Sequence, residues 1–243
     1  MANSLVSTEK LLDSLLAEPL LELGFRRAQR LIFRRDMAGV KQLLRFPTRL
    51  QDNLMLFNAN GAIRFERIEE LLGNADPLSP TLMMPVHLLR PTKEHIEWQF
   101  IPQPSRCLID QVLADCRQYL LPFLERMSVM PALKSQLLYE IEHYANAAVQ
   151  RARLSSEAER VQFDLALQND GRLRLVLGPE QRIEKLAAIY VLEGNKGAAE
   201  HLIDSELAKQ REAKPLPPQI AKCLRWERLK EALLGAEGKQ NQK

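Results

Sequence analysis

Aromatic residues make up only 6 % of the chain, and its three cysteines, Cys107, Cys116 and Cys223, show no CxxC spacing. The first shortage predicts a core that is mostly aliphatic. The second excludes a disulfide framework, because extracellular proteins generally pair their cysteines, and it offers no thiolate set for zinc. The odd count fits a reducing compartment, where free thiols within a helical pattern are ordinary core residues. No apolar run approaches the roughly 18 residues of a membrane span. The leucines near the N-terminus are interrupted by Glu9, Asp13, Glu18 and Glu22 and follow no basic leader, so this stretch reads as an amphipathic helix and not as a signal peptide. A cytoplasmic protein is the resulting expectation.

Motifs of catalysis are also missing. There is no GxSxG elbow, no HExxH and no Walker loop. Gly194-Asn195-Lys196-Gly197 places a lysine between glycines, but without the spacing or the preceding strand of a phosphate loop, and it reads as a helix-to-helix turn. Glu140 and His143 have the Glu-x-x-His spacing of di-iron bundles, which need two such copies; one is here. His201, between Glu200 and Asp204, reads as an exposed helix face. His87, His95 and Glu97 could approach one another if two strands paired in the right register, giving a possible metal set whose alternative is the polar face of a half-buried sheet. No cofactor is expected.

What the chain does have is the composition of a globular protein, 243 residues with 46 % hydrophobic and 27 % charged, long enough to bury a core without staples. Leu12, Leu16 and Leu20 recur at helical spacing, with Pro19 expected to kink or restart the helix and Gly24 placed to end it. Period-two runs follow. Residues 31–35 and 40–46 flank a turn at 36–39. Residues 53–57 and 62–65 flank Asn58-Ala59-Asn60-Gly61, which reads as a tight hairpin. Residues 82–90 and 95–101 form a third strand pair. After Pro104 the apolar period becomes 3.6. The expected fold is therefore α+β: residues 1–104 carry an N-terminal helix and an antiparallel sheet of about five or six strands. Residues 105–243 are mainly helical and pack against it, with a frayed tail at 235–243. One segment is two-sided. Val161, Phe163, Leu165 and Leu167, then Asn169-Asp170-Gly171, alternate like an extra β-hairpin over 161–177, while Ser156 and Glu159 form a capping-box pair that would start a helix. The regular alternation favours the hairpin.

The net charge is only +3, but it is uneven. Between Glu22 and Leu50 stand Arg26, Arg27, Arg30, Arg34, Arg35, Lys41, Arg45 and Arg49 against two acids, Glu22 and Asp36. Strand alternation sets Arg34 opposite Phe33 and Arg45 opposite Phe46, so both are expected on an exposed face. These arginines could be solvated or paired with Glu66, Glu69 and Glu70, or they could meet an anionic partner. Stacking aromatics and nucleic-acid signatures are lacking, which favours a protein.

The stretches ELGFRRAQRLIFRRD, VKQLLRF and LMLFNANG resemble small uncharacterised bacterial α+β domains that are found as immunity proteins beside polymorphic or type VI secreted toxins. The matching positions are Gly24, Phe25, Arg26, Phe33, Arg34, Asn58 and Gly61, within the first hundred residues. A Gln-Ser-type polar motif after the second strand is missing, and the helical C-terminal part extends beyond such a domain. The resemblance implies a non-catalytic partner of a cognate toxin. Binding is expected at Arg34, Arg35, Lys41, Arg45 and Arg49, with His95, Glu97 and Gln99 as a second patch. A nucleic-acid-associated regulator using residues 26–49, and a metal-dependent enzyme using His87, His95 and Glu97, are the competing readings.

Overall fold

Leu12, Leu16 and Leu20 lie one turn apart and are all fully buried along the first element, α1 (Ala2–Glu22). Pro19 sits inside this helix, which neither stops nor restarts there. Gly24 closes it at φ +82°, a left-handed conformation that glycine adopts without a Cβ penalty, and the Phe25 N–H donates back to Leu20 O at 2.9 Å. The structure, a computed structural model, describes residues 2–52, 54–94, 97–100, 106–168, 175–212 and 217–235. The expected break at Pro104, the Asn169-Asp170-Gly171 turn and tail residues 236–243 lie outside them.

The chain then runs through β1 (Arg26–Gln29), β2 (Ile32–Met37), β3 (Val40–Arg45), β4 (Thr48–Gln51), β5 (Leu54–Phe57) and β6 (Asn60–Phe65). After the short helix α2 (Glu66–Leu71) come β7 (Leu82–Pro85), a 3-10 turn at Val86–Leu89, and β8 (Trp98–Phe100). The fold is α+β, as expected, with its strands divided between two antiparallel sheets. One has five strands in the order β1-β2-β3-β6-β7; the other has three, β4-β5-β8. The β2–β3 hairpin stands as read from the sequence. The next two do not. β5 and β6 belong to different sheets, so Asn60 and Gly61 are strand residues and not a turn, and β7 pairs with β6 while β8 pairs with β5. Gly61 shows why. A Cβ there would come within 3.1 Å of Leu120 and 3.4 Å of Leu124, so its bare backbone lets a helix lie directly on β6.

That helix is α3 (Arg106–Asp115), a π turn at Cys116–Leu120 and α4 (Leu121–Met127), of which α4 packs on β6. The apolar stripe Ile109, Val112, Leu113, Cys116, Leu120, Phe123, Leu124 and Met127 is buried, following the 3.6 period. The remaining helices are α5 (Met130–Ala152), α6 (Glu157–Gln168), α7 (Pro179–Leu192), α8 (Lys196–Glu212) and α9 (Pro217–Leu234). α6 replaces the first strand of the expected hairpin over 161–177. The Ser156 N–H donates to Glu159 Oε2 at 3.0 Å and the Glu159 N–H to Ser156 Oγ at 3.2 Å, so the capping box forms and starts a helix. Val161 and Leu165 are 49 % and 52 % exposed, and the alternation buries no strand face. No helix among the described residues is long and apolar enough to cross a membrane.

The chain divides into two compact units, each discontinuous in sequence. The first comprises residues 1–65, 80–129 and 161–176; the second comprises 66–79, 130–160 and 177–243. The change of period at 105 therefore marks where helix begins, while α3 and α4 share a unit with both sheets. In the second unit α7 packs against α2, α5, α8 and α9. Its interior holds two buried ion pairs, Arg182–Glu140 and Lys185–Glu69, both at 2.6 Å.

Candidate functional site

The fate of each basic side chain between residues 26 and 49 narrows the site. Arg27 meets Asp13 at 2.9 Å, Arg30 meets Glu9 at 3.3 Å, and Arg34 meets Asp36 at 3.1 Å. Arg49 is bidentate on Glu97, which raises the pKa of its guanidinium through that hydrogen bond. Arg35 turns inward on the Phe33 side of the sheet. It donates to Gln42 Oε1 at 2.8 Å and lies 4.8 Å over the Phe25 ring, with Glu125 at 3.9 Å. Gln42 in turn donates to Ser128 Oγ at 2.8 Å, which donates to Leu124 O at 2.6 Å. Arg35 is thus a structural member of a buried relay tying β2 and β3 to the end of α4. Lys41 is half-buried in β3 with Asp36 and Arg64 as its cross-strand neighbours. The acids that meet the arginines are Glu9, Asp13, Asp36, Glu97 and Glu125, whereas Glu69 meets Lys185.

Arg26 and Arg45 differ. Neither makes an ion pair or a hydrogen bond with its side chain among the described residues, and Arg45 lies in a pocket. Arg34 and Arg45 are half-buried and not exposed as expected. The β2–β3–β6–β7 register sets Ile32, Arg45, Asn60 and Pro85 in one row across the end of the larger sheet. Cross-strand neighbours in such a row have Cβ atoms about 4.5–5.5 Å apart, so the Arg45 and Asn60 side chains lie side by side. Above the row is a cavity of about 370 Å³. Ile32, Arg45, Asn60 and Met83 form its sheet side; Phe46, Pro47 and Thr48 come from the crossing between the two sheets. Glu9 arrives from α1, fixed there by Arg30 and by Thr48 Oγ1, which donates to Glu9 Oε1 at 2.6 Å.

No family model, curated protein or solved structure matches the chain.

Two further features mark this pocket. Asn60 is 7 % exposed and its Oδ1 is buried with no hydrogen-bond partner, a state that costs about 1–3 kcal/mol. Nearby, the Asn58 N–H donates to Pro47 O at 3.3 Å, and Asn58 Oδ1 is likewise buried and unpaired. Leu31, also in the lining, has φ +57°, which a bulky side chain adopts only under constraint. Its N–H donates to Asp13 Oδ1 at 2.9 Å and its carbonyl accepts from the Phe46 N–H at 2.9 Å.

The second patch is described only in part. Glu97 is engaged by Arg49, Gln99 is exposed on β8 opposite Leu56, and His95 lies outside the described residues. His87 is in the 3-10 turn. Among the described residues no group of three or more His, Cys, Asp or Glu is placed to hold a metal ion. Glu140 serves Arg182, and His143 stacks on Tyr139 at 5.4 Å. Of the expected binding residues that are described, this pocket takes Arg45 alone. Sequence reading missed Asn60, Glu9 and Thr48. The Asn-rich stretch 58–60 was the available signal, and reading it as a turn concealed it.

Proposed function

We propose that the protein is a non-catalytic binding protein of the immunity type, which neutralises a toxin encoded beside it by direct contact in the cytoplasm. The observation that carries this reading is Arg45. Its side chain stands half-buried in a pocket and makes no ion pair among the described residues, while Arg27, Arg30, Arg34, Arg35 and Arg49 each meet an acid. A partly desolvated cation lacking a counterion inside the fold is completed by an acidic group from a partner, and the planar fork of arginine suits a carboxylate. The described lining supports binding over catalysis. It holds no imidazole and no thiol, and its one hydroxyl, on Thr48, donates to Glu9. A phosphate backbone has less support, since five arginines of the basic segment are already neutralised.

Calorimetric titration of the full chain against the neighbouring gene's toxin tests the reading. Arg45→Glu should weaken the complex by about 2 kcal/mol or more, with most of the loss in the dissociation rate. Thermal melts serve as the folding control. Wild-type protein that shows no binding refutes the immunity reading.

A further inference from the structure

The charged residues of the described lining are Arg30, Arg45 and Glu9, which together carry one positive charge. Arg30 meets Glu9 at 3.3 Å, and the Thr48 hydroxyl holds the same carboxylate. Arg45 is left as the cation without a counterion among the described residues, so the pocket complements a single negative charge, and the fixed Glu9 carboxylate opposes a second. Asn60 stands next to Arg45 in the register, but its Oδ1 is buried beyond a ligand's reach, so the charged contact falls to Arg45. The planar fork of arginine fits a carboxylate through two parallel hydrogen bonds. Apolar wall lies beside it. Ile32 is the cross-strand neighbour of Arg45 in the register; it and Met83 are half-buried, and Pro47 is exposed, so all three keep carbon surface free to meet a ligand. A cavity of about 370 Å³ falls at the small end of ligand pockets, and a bare carboxylate leaves most of it unfilled.

We infer that this pocket binds a monocarboxylic acid with a compact apolar body, the carboxylate on Arg45 and the carbon body against Ile32, Pro47 and Met83. A free small organic acid has this chemistry, and so does the C-terminal residue of a chain that ends in an apolar side chain. The inference rests on the reading of Arg45 as the binding cation and deepens it by naming the group that cation takes.

The test is NMR titration of the full chain, following the Arg45 Nε–H and the Met83 methyl group. 4-Methylpentanoate presents the free acid and a pentapeptide ending in leucine presents the chain end. Acetate lacks the apolar body, 4-methylpentan-1-ol lacks the charge, and succinate carries a second charge. At least one of the first two probes should give saturable shifts at both groups, and the tighter of them identifies the source. Acetate should bind at least about tenfold more weakly than that probe, as expected when two methylenes lose their burial. The alcohol and succinate should also bind at least about tenfold more weakly, the first for want of a charge-assisted pair and the second through repulsion by Glu9. Arg45→Met should abolish binding while the melt stays near that of wild type. Met83→Ala removes apolar wall, so it should weaken the preferred probe severalfold and leave acetate unchanged. Absence of saturable shifts with both of the first two probes overturns the inference, as does acetate, the alcohol or succinate binding as tightly as they do. A folded Arg45→Met variant that still binds, or a Met83→Ala variant whose preference over acetate is undiminished, overturns it as well. These outcomes are separable from the toxin titration: probes that bind alongside a toxin that does not would remove the immunity reading and leave the site standing, and a toxin that binds through Arg45 without any probe binding would do the reverse.

Discussion

Asp13 holds two things at once. Its Oδ1 accepts from the Leu31 N–H at 2.9 Å, and its other oxygen meets Arg27 at 2.9 Å. The first contact fixes a bulky residue at φ +57°, a conformation that costs about 1–3 kcal/mol where nothing compensates it. Asp13→Ala should therefore destabilise the protein by about 1–3 kcal/mol, because a buried N–H is left without an acceptor, whereas Asp13→Asn keeps an acceptor and should lose much less. Urea unfolding of the two variants measures the difference, and equal losses would place the effect in the Arg27 ion pair. The cysteines give a second check at this scale. Burial pushes the Cys116 thiol up to about 12, while Cys107 is exposed. With a disulfide reagent at pH 8, Cys107 should react rapidly and Cys116 only after unfolding, since the thiolate is the reacting species.

Among the elements, α6 shows how a local bond outweighs a pattern. The alternation of Val161, Phe163, Leu165 and Leu167 carries information only if one face is covered, and Val161 and Leu165 lie open on a helix. The capping box acts within four residues and needs no distant partner. Ser156→Ala should cost about 1 kcal/mol of local helix stability, read as faster amide exchange over 158–163. The Glu159 carboxyl is held below its ordinary range chiefly by the Ser156 backbone N–H, with the Ser155 and Ser156 hydroxyls adding to the effect. A depressed folded pKa means that its contribution is fully present above the unfolded value near 4.5 and is lost as pH falls through the lower folded value. Exchange over 158–163 should accordingly be steady from pH 7 to about 5, after correction for intrinsic rates, and accelerate below.

The same contrast decides what the sequence makes legible. The span of α1 (apart from Pro19), the β2–β3 hairpin, the cap at Gly24 and the turn between α7 and α8 are specified by neighbours in the chain and were read correctly. The pairing of β6 with β3 and β7, and of β5 with β8, joins strands that do not follow one another in the chain, and Gly61 on β6 lies beneath Leu120 and Leu124, some sixty residues away. Nothing local announces that contact. The pocket suffered most from this, because its polar pair, Arg45 and Asn60, exists only in the register of β3 with β6.

For the molecule as a whole, the discontinuity of the two units places weight on contacts between segments far apart in sequence. In the second unit, residues 66–79 are separated from 177–243 by the 97 residues 80–176. Lys185 of α7 joins them, donating to Glu69 Oε1 of α2 at 2.6 Å across 116 residues of chain. Glu69 is fully buried and its other oxygen accepts from Asn74 Nδ2 at 2.8 Å, and Asn74 Nδ2 also donates to Ser79 Oγ at 2.8 Å. Desolvating two charges roughly offsets their attraction, so the pair specifies which surfaces of α2 and α7 meet more than it adds net stability. Two variants separate these roles. Lys185→Met leaves the Glu69 carboxylate buried with only Asn74 against it and should destabilise the fold by about 3–5 kcal/mol. Glu69→Leu combined with Lys185→Met removes both charges and should recover most of that loss, giving a positive coupling energy in the double-mutant cycle. Denaturant unfolding followed by helix signal measures all four corners. If the double variant is instead as unstable as the sum of the singles, the ion pair contributes little coupling and the docking of α2 on α7 rests on its apolar contacts, with Ile68 of α2 and Leu186 of α7, both fully buried, the next residues to truncate.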